Sequence, residues 1–309
     1  MIEQLGDRRL QTLATANRHY HFKLTGFYPD GRTRRGVLLP VRINDGKPLH
    51  LLIDTGADGI VISRRALPGS GLEVLTSAGV RGFGSEDLTG VVALARSVAI
   101  GDLRLENCAL QVVDGQLTPG ADGVIGTDVF EQFLVRLDMA SLALDLDPLP
   151  EEVNATQRTS AASPFYRLGH LLLIKPDHGS GLDDYFVLDT GASLSALSHT
   201  RSLADLAGPV AVQGSSGAVE HASQAAPVHL DLGGYELVDS HPLSLDLRPM
   251  SRWAGADIAG IIGYPMLRQA VVTINYRDGM LNLEKRDHER PRHATNDLSN
   301  ERSAVYLRR

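Results

Sequence analysis

Short apolar runs separated by turn residues make up most of the chain. GVLLPVRIN and LHLLID flank Asp45-Gly46, a dipeptide typical of tight β-hairpins, and HLLLIK and YFVLD stand in the same relation later in the sequence. VVALARSVAI, LRLENCALQVV, LVRLDM and LALDL also have the pattern of strands. The helices that the pattern favours are short ones capped by Ser63 and Ser198, beginning RRAL and HTRSLADLA. The sequence therefore predicts an all-β protein and argues against a βαβ fold.

One apolar run has a carboxylate at its centre. Residues 51–63 read LLIDTGADGIVIS, which places Asp54 within what is otherwise a buried strand. Taking an ionised carboxylate out of water is costly unless hydrogen bonds or a partner compensate for the lost hydration. Asp54 is therefore either a turn residue at the end of a strand or part of a reaction centre.

The same segment occurs a second time. FVLDTGASLSALS, residues 186–198, aligns with residues 51–63 without a gap and places Asp189 at the position of Asp54. Two copies of Asp-Thr-Gly-Ala in matching apolar frames are far more specific than one short motif.

The repeat continues downstream. VIGTDVFEQFLVRLDMASLALDL, from Val124, matches IIGYPMLRQAVVTINYRDGMLNL, from Ile261, and Gly-Ala-Asp precedes both segments. The second copy has gained Ile258 and Ala259 after that triplet. Tandem duplication of one β domain is the simplest explanation.

The duplication predicts two domains joined by a polar linker. We expect an N-terminal arm (1–20), a first domain (21–150), a turn-rich linker (151–164), a second domain (165–286) and a charged tail (287–309) with little order of its own. Residues 1–20 could form a short helix or an arm.

Composition narrows the function classes. The 309 residues are 43% hydrophobic and 22% charged, and the formal net charge of -7 gives no reason to expect a nucleic-acid partner. Cys108 is the only cysteine and lies in a strand-like context, so we expect a buried, unreactive thiol. No apolar run is long enough to span a bilayer, and the first residues lack a signal-peptide core. We expect a soluble protein, with cytoplasmic and periplasmic or secreted locations both open.

The two repeated loops suggest a reaction. Two copies of one domain can pack about a pseudo-twofold axis, which would bring Asp54 and Asp189 face to face. Two carboxyl groups at such a short distance share one proton. One can therefore act as general base on a water molecule while the other, protonated, polarises a carbonyl. Such a pair attacks an amide without a metal or other cofactor.

The residues after each aspartate fit the same arrangement. Gly56 and Gly191 let the backbone turn sharply and present amides to the carboxylates. Thr55 and Thr190 can send their hydroxyls across the interface to the opposite loop and brace the dyad.

These residues resemble those of aspartic proteases of the pepsin and retroviral protease clan, in a single-chain form whose lobes are each closer to a retroviral-type monomer. The resemblance covers most of residues 36–285. The matching residues are Asp54, Thr55, Gly56, Ala57, Val124, Ile125 and Gly126, and Asp189, Thr190, Gly191, Ala192, Ile261, Ile262 and Gly263. The resemblance implies two β-barrel lobes related by a pseudo-twofold axis, and a monomeric endopeptidase that binds an extended peptide in the cleft between them.

The resemblance also implies a flap over the bound peptide and an apolar-apolar-Gly segment beneath each catalytic loop. The flap candidates are Gly82, Phe83 and Gly84, and Gly214, Ser215 and Ser216, although both stretches also suit ordinary hairpin turns. Neither contains the tyrosine of a pepsin-like flap.

Each motif continues with alanine, Ala57 or Ala192, where pepsins usually have serine or threonine. A hydroxyl there would stabilise a charged carboxylate, so its absence predicts a dyad that titrates higher and a mildly acidic to near-neutral pH optimum.

Several alternatives stay open. The aspartates could be strand-end turn residues, or the fold could bind peptides without cutting them, or the N-terminal arm could inhibit a real enzyme. Asp122 and Asp257 suit loop capping better than catalysis, and His19 and His21 suit a surface strand better than a metal site.

Overall fold

Strands are the main secondary structure of the described residues, as the sequence predicts. The computed structural model describes residues 12–13, 18–67, 71–81, 87–115, 117–149, 162–177, 184–201, 205–210, 212–214, 217–219 and 222–286. The strands of the N-terminal half (residues 12–149) are β1 (Thr12–Leu13), β2 (Tyr20–Lys23), β3 (Thr25–Phe27), β4 (Gly36–Ile43), β5 (Leu49–Ile53), β6 (Ile60–Ser63), β7 (Glu73–Arg81), β8 (Asp87–Ile100), β9 (Leu103–Val113), β10 (Gly123–Ile125), β11 (Phe133–Asp138) and β12 (Ala143–Pro148).

The C-terminal half (residues 162–286) has a similar run of strands. They are β13 (Ala162–Leu168), β14 (Leu171–Ile174), β15 (Tyr185–Leu188), β16 (Ala196–Ser198), β17 (Asp205–Pro209), β18 (Val212–Gly214), β19 (Gly217–Val219), β20 (Ser223–Ala225), β21 (Val228–Leu232), β22 (Tyr235–Asp239), β23 (Leu243–Leu245), β24 (Ile258–Ile262), β25 (Val271–Asn275) and β26 (Met280–Glu284). Among the described residues the helices are two short 3-10 helices, Arg64–Ala66 and Thr127–Phe130, and two α-helices, α1 (Arg248–Ala254) and α2 (Tyr264–Leu267). No helix in the described ranges is long and apolar enough to cross a membrane.

The N-terminal half closes into a six-stranded barrel. Its strands follow the order β9, β6, β10, β5, β4 and β8, and β8 pairs back with β9. The predicted hairpin between β4 and β5 is confirmed, and Asn44 and Asp45 adopt the positive φ angles, 48° and 59°, that a tight turn between twisted strands requires. Cys108 lies inside the barrel, where burial raises the pKa of its thiol to about 12, so it is the inert residue that its context predicts.

The C-terminal half repeats the central part of this arrangement. β10 runs parallel to β5 and antiparallel to β6, and β6 runs parallel to β9. In the same way β24 runs parallel to β15 and antiparallel to β16, and β16 runs parallel to β23.

A six-stranded antiparallel layer joins the two halves. Its order is β2, β12, β11, β25, β26 and β13, so each half contributes three strands and β11 and β25 meet at the centre. Arg136 pairs there with Thr273, and Leu137 pairs with Val272. The apolar side chains of the central pair, including Val135 and Ile274, are fully buried.

Local structure differs from the sequence prediction at both sites where a serine-capped helix is predicted. The predicted helix beginning HTRSLADLA is wrong, because Asp205–Pro209 pairs with β20 as a strand. Ser63 precedes a 3-10 helix without capping it, since its hydroxyl donates to the carbonyl of Gly115 instead. Strand β13 begins at Ala162, within the range predicted as linker, and β1 lies in the predicted arm and pairs with β9.

Candidate active site

Asp54 and Asp189 meet at the ends of two equivalent strands. Asp54 follows β5, and its amide donates to the carbonyl of Ile125 at 3.0 Å; Asp189 follows β15, and its amide donates to the carbonyl of Ile262 at 3.0 Å. These bonds extend the parallel pairings of β5 with β10 and of β15 with β24. Each carboxyl group lies against the glycine of the opposite loop, and the two are close enough for the negative charge of Asp189 to raise the pKa of Asp54. Both aspartates keep part of their surface exposed, so water can reach the pair.

The apolar-apolar-Gly segments hold these loops from the side. Val124, Ile125, Ile261 and Ile262 are buried in β10 and β24. Each segment ends in a glycine with no room for a side chain. A Cβ on Gly126 would lie 2.6 Å from the carbonyl oxygen of Ala57, and one on Gly263 would overlap the carbonyl of Leu194, so the backbones of the two segments can approach the loops only as glycine.

Thr55 and Thr190 bind each other's loops through four buried hydrogen bonds. The Thr55 hydroxyl donates to the carbonyl of Leu188 at 2.7 Å and accepts from the Thr190 amide at 3.0 Å. The Thr190 hydroxyl donates to the carbonyl of Ile53 at 2.9 Å and accepts from the Thr55 amide at 3.0 Å. The threonines are at most 2% exposed, so the loops are fixed against each other in a dry environment.

Gly56 and Gly191 lie against the opposite carboxyl groups. The Gly56 amide donates to Asp54 at 2.8 Å and the Gly191 amide donates to Asp189 at 2.9 Å. A Cβ on Gly56 would lie 2.9 Å from Cγ of Asp189, and a Cβ on Gly191 would overlap the carboxyl group of Asp54. The absence of a side chain is what allows the carboxyl groups to come together.

Gly191→Ala should therefore disable the site without unfolding the protein. The added methyl displaces the Asp54 carboxyl group, and a displacement of about 1 Å in a reacting group can cost about 100-fold in rate. We expect kcat/KM for peptide cleavage to fall by about 100-fold or more, with the unfolding midpoint changed little. Gly234→Ala serves as a control for an added methyl group at a glycine away from the dyad, because Gly234 has a positive φ of 77° but no atom near its Cβ position. Equal activity losses in the two variants would contradict the steric explanation.

Burial raises the pKa of both carboxyl groups. The pKa of Asp54 is raised well above its ordinary value by loss of hydration, and the negative charge of Asp189 raises it further. The pKa of Asp189 is also raised by burial, but the amides of Ala192 and Gly191 and a hydrogen bond from Asp54 oppose the rise. Burial therefore favours a pair that keeps one proton at a pH where exposed aspartates would have lost theirs.

Two further side chains act in opposite directions on the pKa values of the two aspartates. Asp128 is 2% exposed, accepts from the amide of Gly59 and adds its negative charge to the causes that raise the pKa of Asp54. His170 acts from the other side, where its positive charge lowers the pKa of Asp189. The second copy of the sequence has Pro265 at the position of Asp128.

Asp128→Asn should shift the pH dependence of cleavage to lower pH. Asparagine keeps an acceptor for Gly59 but removes the charge that raises the pKa of Asp54, so Asp54 loses its proton at a lower pH. If the singly protonated pair is the active form, the alkaline limb of the kcat/KM profile moves down while the acid limb moves less. Glu131→Gln, three positions along, is the matched control, because Glu131 pairs with Arg167 and does not act on either aspartate. An unchanged alkaline limb in Asp128→Asn would show that Asp128 has no electrostatic role.

Most of the proposed flap residues lie outside the described part of the chain. This applies to Gly82, Phe83, Gly84, Ser215 and Ser216. Gly214 ends β18 and pairs with Gly217 of β19 in a hairpin, and β7 and β8 form a longer hairpin that leads towards residues 82–86. The assignment of either stretch as a flap stays a prediction.

Other residues singled out in the sequence have contacts that fit their simpler interpretations. Asp122 accepts from the amide of His50 at 2.8 Å, as a loop-capping acid does. His19 and His21 each contact an aspartate of β12, Asp147 and Asp145, at 2.6 Å along the edge of the layer that joins the halves.

Asp128 and His170 were missed by sequence reasoning. The repeat alignment does show an acidic residue opposite a proline, but a single difference between two copies carries no information about distance to the dyad. His170 lies in the two-residue connection between β13 and β14, far from any motif.

Comparison with known families agrees with this site. Residues 39–129 match the family model described as aspartyl protease. That range includes Asp54 and the flanking residues of the first loop together with Val124, Ile125 and Gly126, while Asp189 lies outside it. No curated protein matches the chain significantly. The family match supports peptidase activity of the aspartyl protease type.

Proposed function

We propose that this protein is a monomeric aspartic endopeptidase in which Asp54 and Asp189 together activate a water molecule. The observation that carries the proposal is the pair of facing carboxyl groups, each held by a glycine amide, each against the glycine of the opposite loop and each partly exposed. Nothing in a purely structural role requires two buried-strand aspartates to face each other at a cost in hydration. Both aspartates belong to one chain, so activity should not change on dilution.

The halves would be copies of one lobe related by a pseudo-twofold axis. The register of β11 and β25 supports this, because Arg136 and Thr273 occupy equivalent positions of the repeat and pair directly with each other. Twofold symmetry requires such self-equivalent pairs at the axis. The reciprocal bonds of Thr55 and Thr190 obey the same rule. A cleft would then lie over the dyad, between the lobes.

The unequal surroundings assign different roles to the aspartates. Asp189, with two amide donors and the charge of His170 nearby, would be the ionised base that takes a proton from water. Asp54 would donate its proton to the carbonyl oxygen of the peptide as the water oxygen bonds to the carbonyl carbon. Asp189 then gives the proton that it took from water to the amide nitrogen, Asp54 takes a proton from a hydroxyl of the tetrahedral intermediate, and the C–N bond breaks, so the dyad again holds its proton on Asp54. The raised pKa of Asp54 extends the active form towards neutral pH, in agreement with the optimum expected from Ala57 and Ala192.

A peptide mixture tests this proposal directly. The protein is incubated with a proteome-derived peptide library from about pH 3 to pH 8, and new termini are identified by mass spectrometry. The double variant Asp54→Asn/Asp189→Asn serves as the blank for contaminating proteases. We expect cleavage within peptides, inhibited by a peptide that carries a secondary alcohol in place of the cut amide. Folded parent protein that produces no new termini at any pH would overturn the proposal.

A peptide-binding protein without turnover is the second candidate, and the same reagents separate it. Tight binding of the alcohol-bearing peptide with no cleavage of any library member would favour a binding module. A variant that lacks residues 1–17 keeps β2 in place and tests the N-terminal arm, since cleavage that appears on truncation would indicate an inhibited enzyme.

A further inference from the structure

Trp253 and His170 form an aromatic pair beside one of the two aspartates. Trp253 lies near the end of α1 and is 56% exposed, and its ring centroid is 6.2 Å from that of the half-buried His170, at an interplanar angle of 42°. A tilted pair at this distance leaves an indole face open to solvent. A tryptophan that exposed on an otherwise ordered helix is unusual, because burial of its ring would be favourable.

The helix that carries Trp253 is firmly seated. Ala254 is buried and Met250 packs against the same apolar cluster, which also contains Leu245 and Ile261. The Ser251 hydroxyl accepts from the amide of Ile258 at 3.1 Å, which ties α1 to β24. The indole is thus presented by a fixed element and not by a loop.

This surface adjoins Asp189. Ala192, the third residue after Asp189, packs against the cluster that supports α1, and so does Leu168, which precedes the Gly169-His170 connection. Strand β14 pairs antiparallel with β15, so His170, which precedes β14, lies beside the end of β15 that leads into Asp189. The pair therefore lies where a peptide chain bound at the dyad would pass.

The N-terminal half lacks a counterpart. The segment between β9 and β10, which corresponds to the segment that contains α1, reads DGQLTPGAD and has no aromatic residue. The connection in the first half that corresponds to Gly169-His170 is longer. It spans residues 28–35 and contains three arginines and one tyrosine. The surroundings of Asp54 and Asp189 therefore differ in chemistry as well as in charge.

We propose that Trp253 and His170 form a specificity subsite that takes a large apolar side chain, preferably aromatic, at one fixed position of the substrate on the Asp189 side of the cut bond. The proposal rests on the peptidase function proposed above. An aromatic side chain can pack on the open indole face in the edge-to-face or offset geometry that such rings prefer. A lysine side chain could also contact an indole face, but it gains less from burial of apolar area than an aromatic ring does. The apolar cluster beneath α1 would also favour a large apolar side chain at this position.

Trp253 is the only tryptophan in the chain, so its fluorescence reports on this site alone. The probes are peptides in which a reduced –CH₂–NH– bond replaces the cut amide, with phenylalanine or alanine placed at each position in turn. We expect phenylalanine at one position to shift the emission to shorter wavelength and to bind about tenfold more tightly than alanine there. Lysine at that position should give no such gain.

Variants then connect the signal to specificity. In library cleavage, Trp253→Ala should lose the preference for aromatic residues at that one position by about tenfold, and Trp253→Phe should retain most of it. Tyr166→Ala is the matched control, because Tyr166 is also 56% exposed but contacts Tyr185 instead of His170. Equal effects of Trp253→Ala and Tyr166→Ala would overturn the subsite.

The readouts separate this inference from the proposed function. Emission that responds to the phenylalanine probe while the parent cleaves nothing would support the subsite and reject the peptidase. Cleavage that shows no aromatic preference, with emission unchanged by the probes, would support the peptidase and overturn the subsite.

Discussion

Asp54→Asn and Asp189→Asn should each slow peptide cleavage by at least about 1,000-fold. Asparagine has nearly the same shape as aspartate but can neither take a proton from water nor deliver one to a carbonyl oxygen. Because the two carboxyl groups would act on one water and share one proton, loss of either removes the function of both. The effects of the two substitutions should accordingly be far from additive in the double variant.

The measurement is single-peptide cleavage at several pH values, using a substrate identified from the library. Circular dichroism and the unfolding midpoint establish that each variant is folded. Asp257→Asn is the control for the change in net charge, because Asp257 is exposed and its carboxyl group does not act on the dyad. Activity that survives in Asp54→Asn but not in Asp189→Asn would reduce the site to one essential carboxylate and contradict a shared dyad.

Thr55→Val should lower the free energy of unfolding by about 2–5 kcal/mol. Valine matches threonine in shape, so packing changes little. The hydroxyl, however, serves two buried groups of the opposite loop, the carbonyl of Leu188 and the amide of Thr190, and both lose their partner. Each such group costs about 1–3 kcal/mol when left buried without a hydrogen bond. Thr190→Val should have a similar cost, because its bonds to Ile53 and Thr55 mirror these.

Chemical denaturation measures this loss, and Thr55→Ser is the matched control, since serine keeps the hydroxyl and should recover most of the stability. Cleavage should weaken in parallel, because the threonines fix the loops that carry the aspartates. A Thr55→Val protein as stable as the parent would mean that the bonds between the loops contribute little to holding the two halves together.

Much of this site could be predicted from the sequence because its parts repeat. Asp54 and Asp189 stand in identical apolar frames, and the pairing of each frame with its apolar-apolar-Gly segment follows from that repetition. The β4–β5 hairpin was equally predictable, since Asp45-Gly46 has one dominant turn conformation. The assignment of Ser198 to a helix cap failed because pairing between distant strands outweighs a local capping preference.

The features that differ between the two halves could not be predicted from the repeat. Helix α1 and the connection at His170 occur in one copy of the repeat only, and Asp128 is an ordinary acidic residue in sequence. Their importance depends on distances to the dyad, which arise from the pairing of strands far apart in the chain. Periodicity predicts which residues are buried, but it does not predict which charge comes to lie beside another.

The central pairing of β11 with β25 has a consequence for the way the chain can be divided. Each half alone would expose an unpaired sheet edge. The side chains along this edge, among them Val135, Leu137, Val272 and Ile274, are fully buried in the intact protein. Exposed apolar edges recruit other strands, so isolated fragments would tend to aggregate or to pair with themselves. A chain cut between residues 150 and 161 would, in contrast, give two fragments with mutually complementary edges. Reassembly of such fragments would give a two-chain molecule, with one aspartate supplied by each chain.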